Sequence, residues 1–145
     1  MKLAYIDSCV WIACIEGLTG YKTIINDRLE RLRSDGFIFC ASDAVILETM
    51  AKPYKAENIM LINVYEELFK KTKILKIFPD VFKNALKAAH AENLKSMDAV
   101  HAAIAIRHKC KYFVSTDPHF RNLSNIQFFW INLNETEKTH SNEML

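Results

Sequence analysis

Apolar positions along the chain follow two patterns that alternate from one end to the other. Short continuous apolar runs, such as residues 3–6, have the length and composition of buried strands. Longer segments place apolar residues three or four positions apart, which is the spacing of an amphipathic helix. The runs predict strands at residues 3–6, 37–40, 73–78, 112–115 and 126–131. Strands separated by helices predict a mostly parallel sheet covered on both faces, in the α/β class.

Residues with capping or helix-breaking chemistry mark the ends of the predicted helices. Asp7-Ser8 supplies N-cap groups for a first helix that ends near Gly17, and Ser96 is predicted to cap the last helix. The third helix is expected to end before Pro53, because a proline disfavours the helical conformation of the residue that precedes it. On these signals, helices are expected at residues 8–14, 21–33, 43–52, 56–71, 81–89 and 97–108.

The composition excludes several classes of protein. With 145 residues, half of them apolar, and a net charge of +2, the chain predicts one globular domain whose overall charge does not by itself indicate nucleic acid. No apolar run is long enough for a membrane helix and no signal peptide is recognisable, so we expect a cytoplasmic protein with reduced cysteines. Glycine occurs only at positions 17, 20 and 36, which predicts no phosphate-cradling loop and no nucleotide cofactor.

Four acidic residues are the candidates for chemistry. Asp7 and Asp117 follow predicted strands, and the carboxyl ends of parallel strands are where ligands bind. Asp98 lies in the first turn of a helix, and Glu48 lies within a helix among apolar neighbours, where a charge needs a partner. Taken singly, an acid at a strand-to-helix turn is usually an N-cap, and Glu48 on its own could face solvent.

If the four carboxylates converge, their mutual repulsion requires a cation or bound protons. Mg²⁺ or Mn²⁺ is the natural occupant, because hard cations take oxygen ligands. Such an ion lowers the pKa of a bound water and polarises a phosphoryl oxygen, while a free carboxylate accepts the proton of the water. Convergence would therefore suit hydrolysis of a phosphodiester.

Four blocks of the sequence resemble the motifs of PIN-domain nucleases. They are Tyr5-Ile6-Asp7-Ser8, residues 42–48, Ser96-Met97-Asp98-Ala99-Val100-His101-Ala102-Ala103 and Val114-Ser115-Thr116-Asp117-Pro118-His119-Phe120. Their order and spacing are most similar to the VapC-type toxins of bacterial and archaeal toxin–antitoxin pairs. The resemblance covers a domain at residues 1–131, and the polar tail at 132–145 has no counterpart in it.

The resemblance implies a three-layer α/β/α sandwich with a Mg²⁺ or Mn²⁺ site, endoribonuclease activity, frequent homodimers and inhibition by an antitoxin. It assigns the metal-binding and catalytic roles to four acids and supporting roles to three hydroxyl residues. The acids are Asp7, Glu48, Asp98 and Asp117, and the hydroxyl residues are Ser8, Ser115 and Thr116. Of the four acids, Glu48 has the least distinctive motif around it.

Other interpretations of the same residues stay open. A catalytically silent PIN-like module that binds RNA or a protein, or a PIN nuclease of RNA maturation, fits the same motifs. An aspartyl-phosphate phosphatase is disfavoured, because the acid expected two residues after its nucleophile is here Cys9. His101 and His108 are expected to be core or surface residues, and His119 is expected to be a loop histidine.

Overall fold

Five strands, all parallel, form a single central sheet in the order β3-β2-β1-β4-β5. The computed structural model describes residues 1–134, so the predicted tail at 132–145 lies mostly outside the described residues. The strands are β1 (Lys2–Ile6), β2 (Phe37–Ala41), β3 (Lys73–Ile74), β4 (Tyr112–Ser115) and β5 (Gln127–Trp130). β1 is the central strand, and its residues Ala4, Tyr5 and Ile6 are fully buried.

Six α-helices and one short 3₁₀-helix connect and cover the strands. The α-helices are α1 (Ser8–Glu16), α2 (Thr19–Ser34), α3 (Asp43–Lys55), α4 (Ile59–Lys70), α5 (Asp80–Ala91) and α6 (Ser96–Arg107); the 3₁₀-helix is Pro118–Asn122. Among the helices, α1 packs on α2 and α3, α3 packs on α4, and α5 packs on α6. In the part of the chain that the structure describes, no helix is both long and apolar enough to cross a membrane.

The order of the strands decides which face of the sheet each helix covers. From β1 to β2 and on to β3 the chain moves in one direction along the sheet, and from β3 to β4 it returns in the other. Because crossovers between parallel strands are right-handed, α1–α4 cover one face and α5 and α6 cover the other. The fold is the predicted α/β/α sandwich, and its sheet is entirely parallel.

Two predicted helix boundaries are wrong. α3 continues through Pro53 and ends at Lys55, because the fixed φ angle of proline is compatible with helical backbone and its missing N–H removes only one hydrogen bond. Ser96 is the first helical residue rather than the cap, since Lys95 occupies the cap position and no side chain caps this helix.

Two further predicted elements are shorter than expected. The third strand keeps only Lys73–Ile74 of the predicted residues 73–78. The fourth helix begins at Ile59 rather than at residue 56, because the side chain of Asn58 caps it by accepting a hydrogen bond from the backbone of Leu61. Local capping chemistry therefore overrides the apolar pattern at this boundary.

α6 ends in a Schellman motif whose left-handed residue is Lys109. Its φ angle is +57°, and its N–H donates to Ile106 O while Cys110 N–H donates to Ala105 O, both at 3.0 Å. This position usually favours glycine, because a side chain is strained in the left-handed conformation. The motif turns the chain from α6 into β4, the strand that leads to Asp117.

Candidate metal centre

Asp7 lies where the two central strands end side by side. Its backbone N–H donates to Val114 O at 2.9 Å, which extends the pairing of β1 with β4. Asp7 is a buried residue, with 5% of its surface exposed. Its carboxylate accepts hydrogen bonds from Ser8 N–H at 2.9 Å and from Ser115 Oγ at 2.8 Å. Hydrogen bonds from both sides therefore hold the carboxylate of Asp7 in one orientation.

Ser115 connects Asp7 to Asp117. While its hydroxyl donates to Asp7, the same oxygen accepts the backbone N–H of Asp117 at 3.1 Å. Asp117 begins the 3₁₀-helix and accepts the N–H of His119 at 2.9 Å, and His119 Nδ1 lies 2.6 Å from the same carboxylate oxygen. β4 thus brings one acid, Asp117, and one hydroxyl, that of Ser115, to the carboxyl edge of the sheet beside Asp7, which follows β1.

Glu48 reaches the same edge from α3. Ser8 Oγ donates to Glu48 Oε1 at 3.0 Å and lies 3.5 Å from Asp7 Oδ1, so one serine connects the two carboxylates. His101 Nε2 donates to the same oxygen of Glu48. The hydrogen bond from His101 lowers the pKa of the Glu48 carboxyl, against the opposing effect of partial burial.

A buried chain of hydrogen bonds supports Glu48 from behind. His101 Nδ1 lies 2.7 Å from the hydroxyl of Tyr5, which lies 2.8 Å from Ser42 Oγ. Burial strongly raises the pKa of Tyr5, so the phenol keeps its proton and takes part in this chain as a hydroxyl. On the other side of the imidazole, Nε2 donates to Glu48, so each member of the chain has a partner.

Asp98 lies in the first turn of α6, close enough to the other acids to feel their charges. Partial burial and the negative charges of Asp7 and Asp117 raise the pKa of its carboxyl. Among the described residues no hydrogen bond contributes to this shift. Asp98 is therefore the acid of the four whose charge is least compensated by donors, although the helix N-terminus favours it.

The donor set fits a hard divalent cation. Ligand atoms of Asp7, Glu48 and His101 lie within 4.8 Å of one another, whereas Asp98 and Asp117 lie outside this tight group. Both nitrogens of His101 are already engaged and its ring is 1% exposed, so we regard it as a support for Glu48 rather than a ligand. Carboxylate oxygens then remain as ligands, which is the set that Mg²⁺ and Mn²⁺ use.

The sequence pattern named most of these residues but not all of their contacts. Thr116, expected beside the acids, places its hydroxyl 3.1 Å from Cys9 Sγ rather than on a carboxylate. Cys9, expected to be an ordinary core residue, lies 3.4 Å from Asp7 Oδ2, and burial raises the pKa of its thiol to about 11.

His101 is buried, one of the two locations expected for it, but its contact with Glu48 was not predicted. It lies three positions after Asp98, which places both residues on one face of α6. That spacing is the signal in the sequence from which its place at the site could have been inferred.

A comparison with protein-family models matches residues 4–126 to the PIN domain. A comparison with curated protein sequences found no match. The family match begins within β1 and ends just before β5, so it contains all four acids.

Solved structures share the fold at low sequence identity. A VapBC2 complex from Rickettsia felis bound to a promoter DNA fragment has 13% identity and a TM-score of 0.68, covering 88% of this chain and 98% of that one. A DNA-bound VapBC from Salmonella typhimurium has 16% identity and a TM-score of 0.66, covering 89% and 98%. VapC20 from Mycobacterium tuberculosis, described as a sarcin-ricin loop cleaving toxin, has 13% identity and a TM-score of 0.61, covering 86% and 98%.

Proposed function

The chain belongs to the PIN domain family, and on that premise we propose that it is a divalent-metal-dependent endoribonuclease that acts as the toxin of a toxin–antitoxin pair. The observation that carries the proposal is the carboxylate cluster at the carboxyl edge of β1 and β4. Ser8 and Ser115 join Asp7, Glu48 and Asp117, and within residues 1–134 none of the four acids forms an ion pair with lysine or arginine. A cluster held in this way favours a cation.

The four acids have different tasks in this proposal. Asp7 and Glu48 hold Mg²⁺ or Mn²⁺, with Asp98 and Asp117 completing the site directly or through water. The ion, when bound, polarises the phosphoryl oxygen and lowers the pKa of the attacking water. Asp98, whose carboxyl has a raised pKa, would accept a proton from the attacking water.

The hydroxyl residues and His101 keep the acids in place. Ser8 orients both Asp7 and Glu48, and Ser115 orients Asp7 together with the backbone of Asp117. Thr116 supports the site less directly, through Cys9. Fixed ligands of this kind lower the cost of organising the site when metal and substrate bind.

RNA as substrate and an antitoxin as partner are supported by similarity of fold. VapC20 of M. tuberculosis is described as cleaving the sarcin-ricin loop, and the R. felis and S. typhimurium structures are complexes bound to DNA. By extension we propose a cytoplasmic protein that forms homodimers and is inhibited by an antitoxin.

A cleavage assay tests the enzymatic part of the proposal. The purified chain is incubated with a pool of single-stranded RNA in Mg²⁺, Mn²⁺ or EDTA. We expect cleavage with either metal, none in EDTA, and a loss of at least about 100-fold in Asp7→Asn and Asp117→Asn. Asp80→Asn is the matched control, because this acid is 53% exposed and pairs with Arg107. Absence of cleavage with both metals would favour a silent module that binds RNA or protein.

A growth assay tests the toxin part separately. Induced expression of the wild-type chain in a bacterial host should arrest growth, whereas Asp7→Asn expressed to the same level should not. A chain that cleaves RNA in vitro but leaves growth unaffected would favour a nuclease of RNA maturation over a toxin.

A further inference from the structure

Trp130 is an exposed aromatic side chain at the same edge of the sheet as the acids. It ends β5, the parallel strand next to β4, and it is 42% exposed. The other tryptophan of the chain, Trp11, is only 4% exposed. The ring of Trp130 is therefore accessible to a ligand that approaches the acids.

The ring of Trp130 is anchored to the strand that carries the acids. Its Nε1–H donates to the backbone oxygen of Thr116 at 3.1 Å, one residue before Asp117. By register it is the partner of Ser115, whose hydroxyl binds Asp7. Register partners on neighbouring strands point to the same face of a sheet, and the strands lie about 4.8 Å apart. One short stretch of single-stranded RNA can therefore contact both the indole and the carboxylates.

The anchoring matters for what the ring can bind. The bond from Nε1 satisfies the only polar group of the indole and fixes the plane of the ring before any ligand arrives. A fixed, exposed aromatic face is a stacking platform for an unpaired base, because every base has a π-face whatever its sequence. The contact is neutral, so it adds to binding without adding charge to the acidic cluster.

We propose that Trp130 is the platform on which an unpaired base of the substrate stacks, next to the phosphodiester that is cleaved. The inference rests on the proposed nuclease function, since the ligand is single-stranded RNA. It assigns to Trp130 the binding of substrate rather than any step of the hydrolysis. Stacking should therefore change KM more than kcat.

The first test is a set of variants at position 130 with one control elsewhere. Trp130→Ala should raise KM for single-stranded RNA about 5- to 100-fold with kcat changed less than about threefold, in line with the loss of one stacked base. Trp130→Phe keeps an aromatic ring but lacks the Nε1–H anchor, so it should recover part of the affinity, whereas Trp130→Leu should recover none although leucine is also apolar. Phe82→Ala is the control, because Phe82 is an aromatic residue on α5 that is 57% exposed and should leave KM unchanged.

The second test identifies the base as the partner of the ring. A series of RNA oligonucleotides carries one abasic nucleotide at each position flanking the cleavage site. At one position the missing base should raise KM for the wild type as much as Trp130→Ala does, and should have no further effect in that variant. A fluorescence measurement in Ca²⁺, where we expect binding without cleavage, tests the same contact. In the Trp11→Phe variant, which keeps Trp130 as its one tryptophan, the intact RNA should quench the fluorescence of Trp130.

The outcomes separate this inference from the proposed function. If the wild type cleaves RNA and Trp130→Ala has the same KM for intact RNA, the stacking proposal is wrong. Additive effects of Trp130→Ala and every abasic substitution would also overturn it. If the wild type cleaves no RNA, the proposed function fails before position 130 is tested.

Discussion

The Nδ1 atom of His101 lies 2.7 Å from the hydroxyl of Tyr5. Tyr5 belongs to the central strand and is fully buried, and on the other side of the imidazole His101 binds Glu48, whose side chain is 34% exposed. The pair therefore connects the hydrophobic core to a proposed metal ligand at the surface. Loss of either residue should change both the stability of the fold and the geometry of the site.

Tyr5→Phe should destabilise the protein by roughly 1 to 3 kcal/mol, because it leaves His101 Nδ1 and Ser42 Oγ buried without their partner. The ring itself is retained, so its stacking on Phe113, at a centroid distance of 5.5 Å, should persist. Urea unfolding of the metal-free protein measures the change. A free energy of unfolding equal to that of the wild type would show that the buried hydrogen bonds are not formed in solution.

His101→Ala should weaken Mn²⁺ binding about 10- to 100-fold, the usual effect of removing a group that orients a metal ligand. Isothermal titration calorimetry with Mn²⁺ alone measures this independently of RNA cleavage. His101→Gln keeps a donor near Glu48 and should recover part of the affinity. His90→Gln, at an exposed position on α5, is the matched control; equal weakening in both His90→Gln and His101→Ala would contradict the role of His101.

Asp98→Asn should abolish cleavage and leave the metal-free protein as stable as the wild type or more stable by up to about 1 kcal/mol. The pKa of Asp98 is raised in the fold, so its ionisation costs stability as the pH rises through the range between its unfolded and folded pKa values. The gain in the variant should therefore be present at neutral pH and vanish at acid pH. Urea unfolding at several pH values, without metal, measures it. A stability loss with cleavage intact would instead identify Asp98 as a partner of the helix dipole.

Lys109→Gly should stabilise the protein by roughly 0.5 to 1 kcal/mol, because glycine adopts the left-handed conformation of the Schellman motif without strain. The entropy that glycine adds to the unfolded chain offsets part of this gain. Lys87→Gly, in the middle of α5, is the control and should lose about 1 kcal/mol. Thermal unfolding measures both variants: the Tm should rise for Lys109→Gly and fall for Lys87→Gly.

The fold was accessible from the sequence because its signals are local. Apolar runs bounded by polar turns located every strand, and the position of Asp7 and Asp117 directly after two of them brought both to one edge of the sheet. The end of α3 was predicted wrongly because the rule about the residue before a proline is a local preference, and Pro53 is a buried residue inside the helix.

The support for Glu48 was not accessible in the same way. The contact between His101 and Glu48 joins residues 53 positions apart on two different helices, and periodicity along one helix says nothing about what another helix presents to it. Trp130 is a similar case, since only the pairing of β4 with β5 places it beside the acids.

The four acids enter the chain at positions 7, 48, 98 and 117, and the serine that joins the first to the last lies on β4. A polypeptide still being synthesised therefore contains no complete site until almost the whole domain has been made. Any product that stops before Tyr112 lacks both the last acid and the strand whose Ser115 orients Asp7. For the ribonuclease proposed above, the order of translation would itself delay activity until β4 and Asp117 have been made.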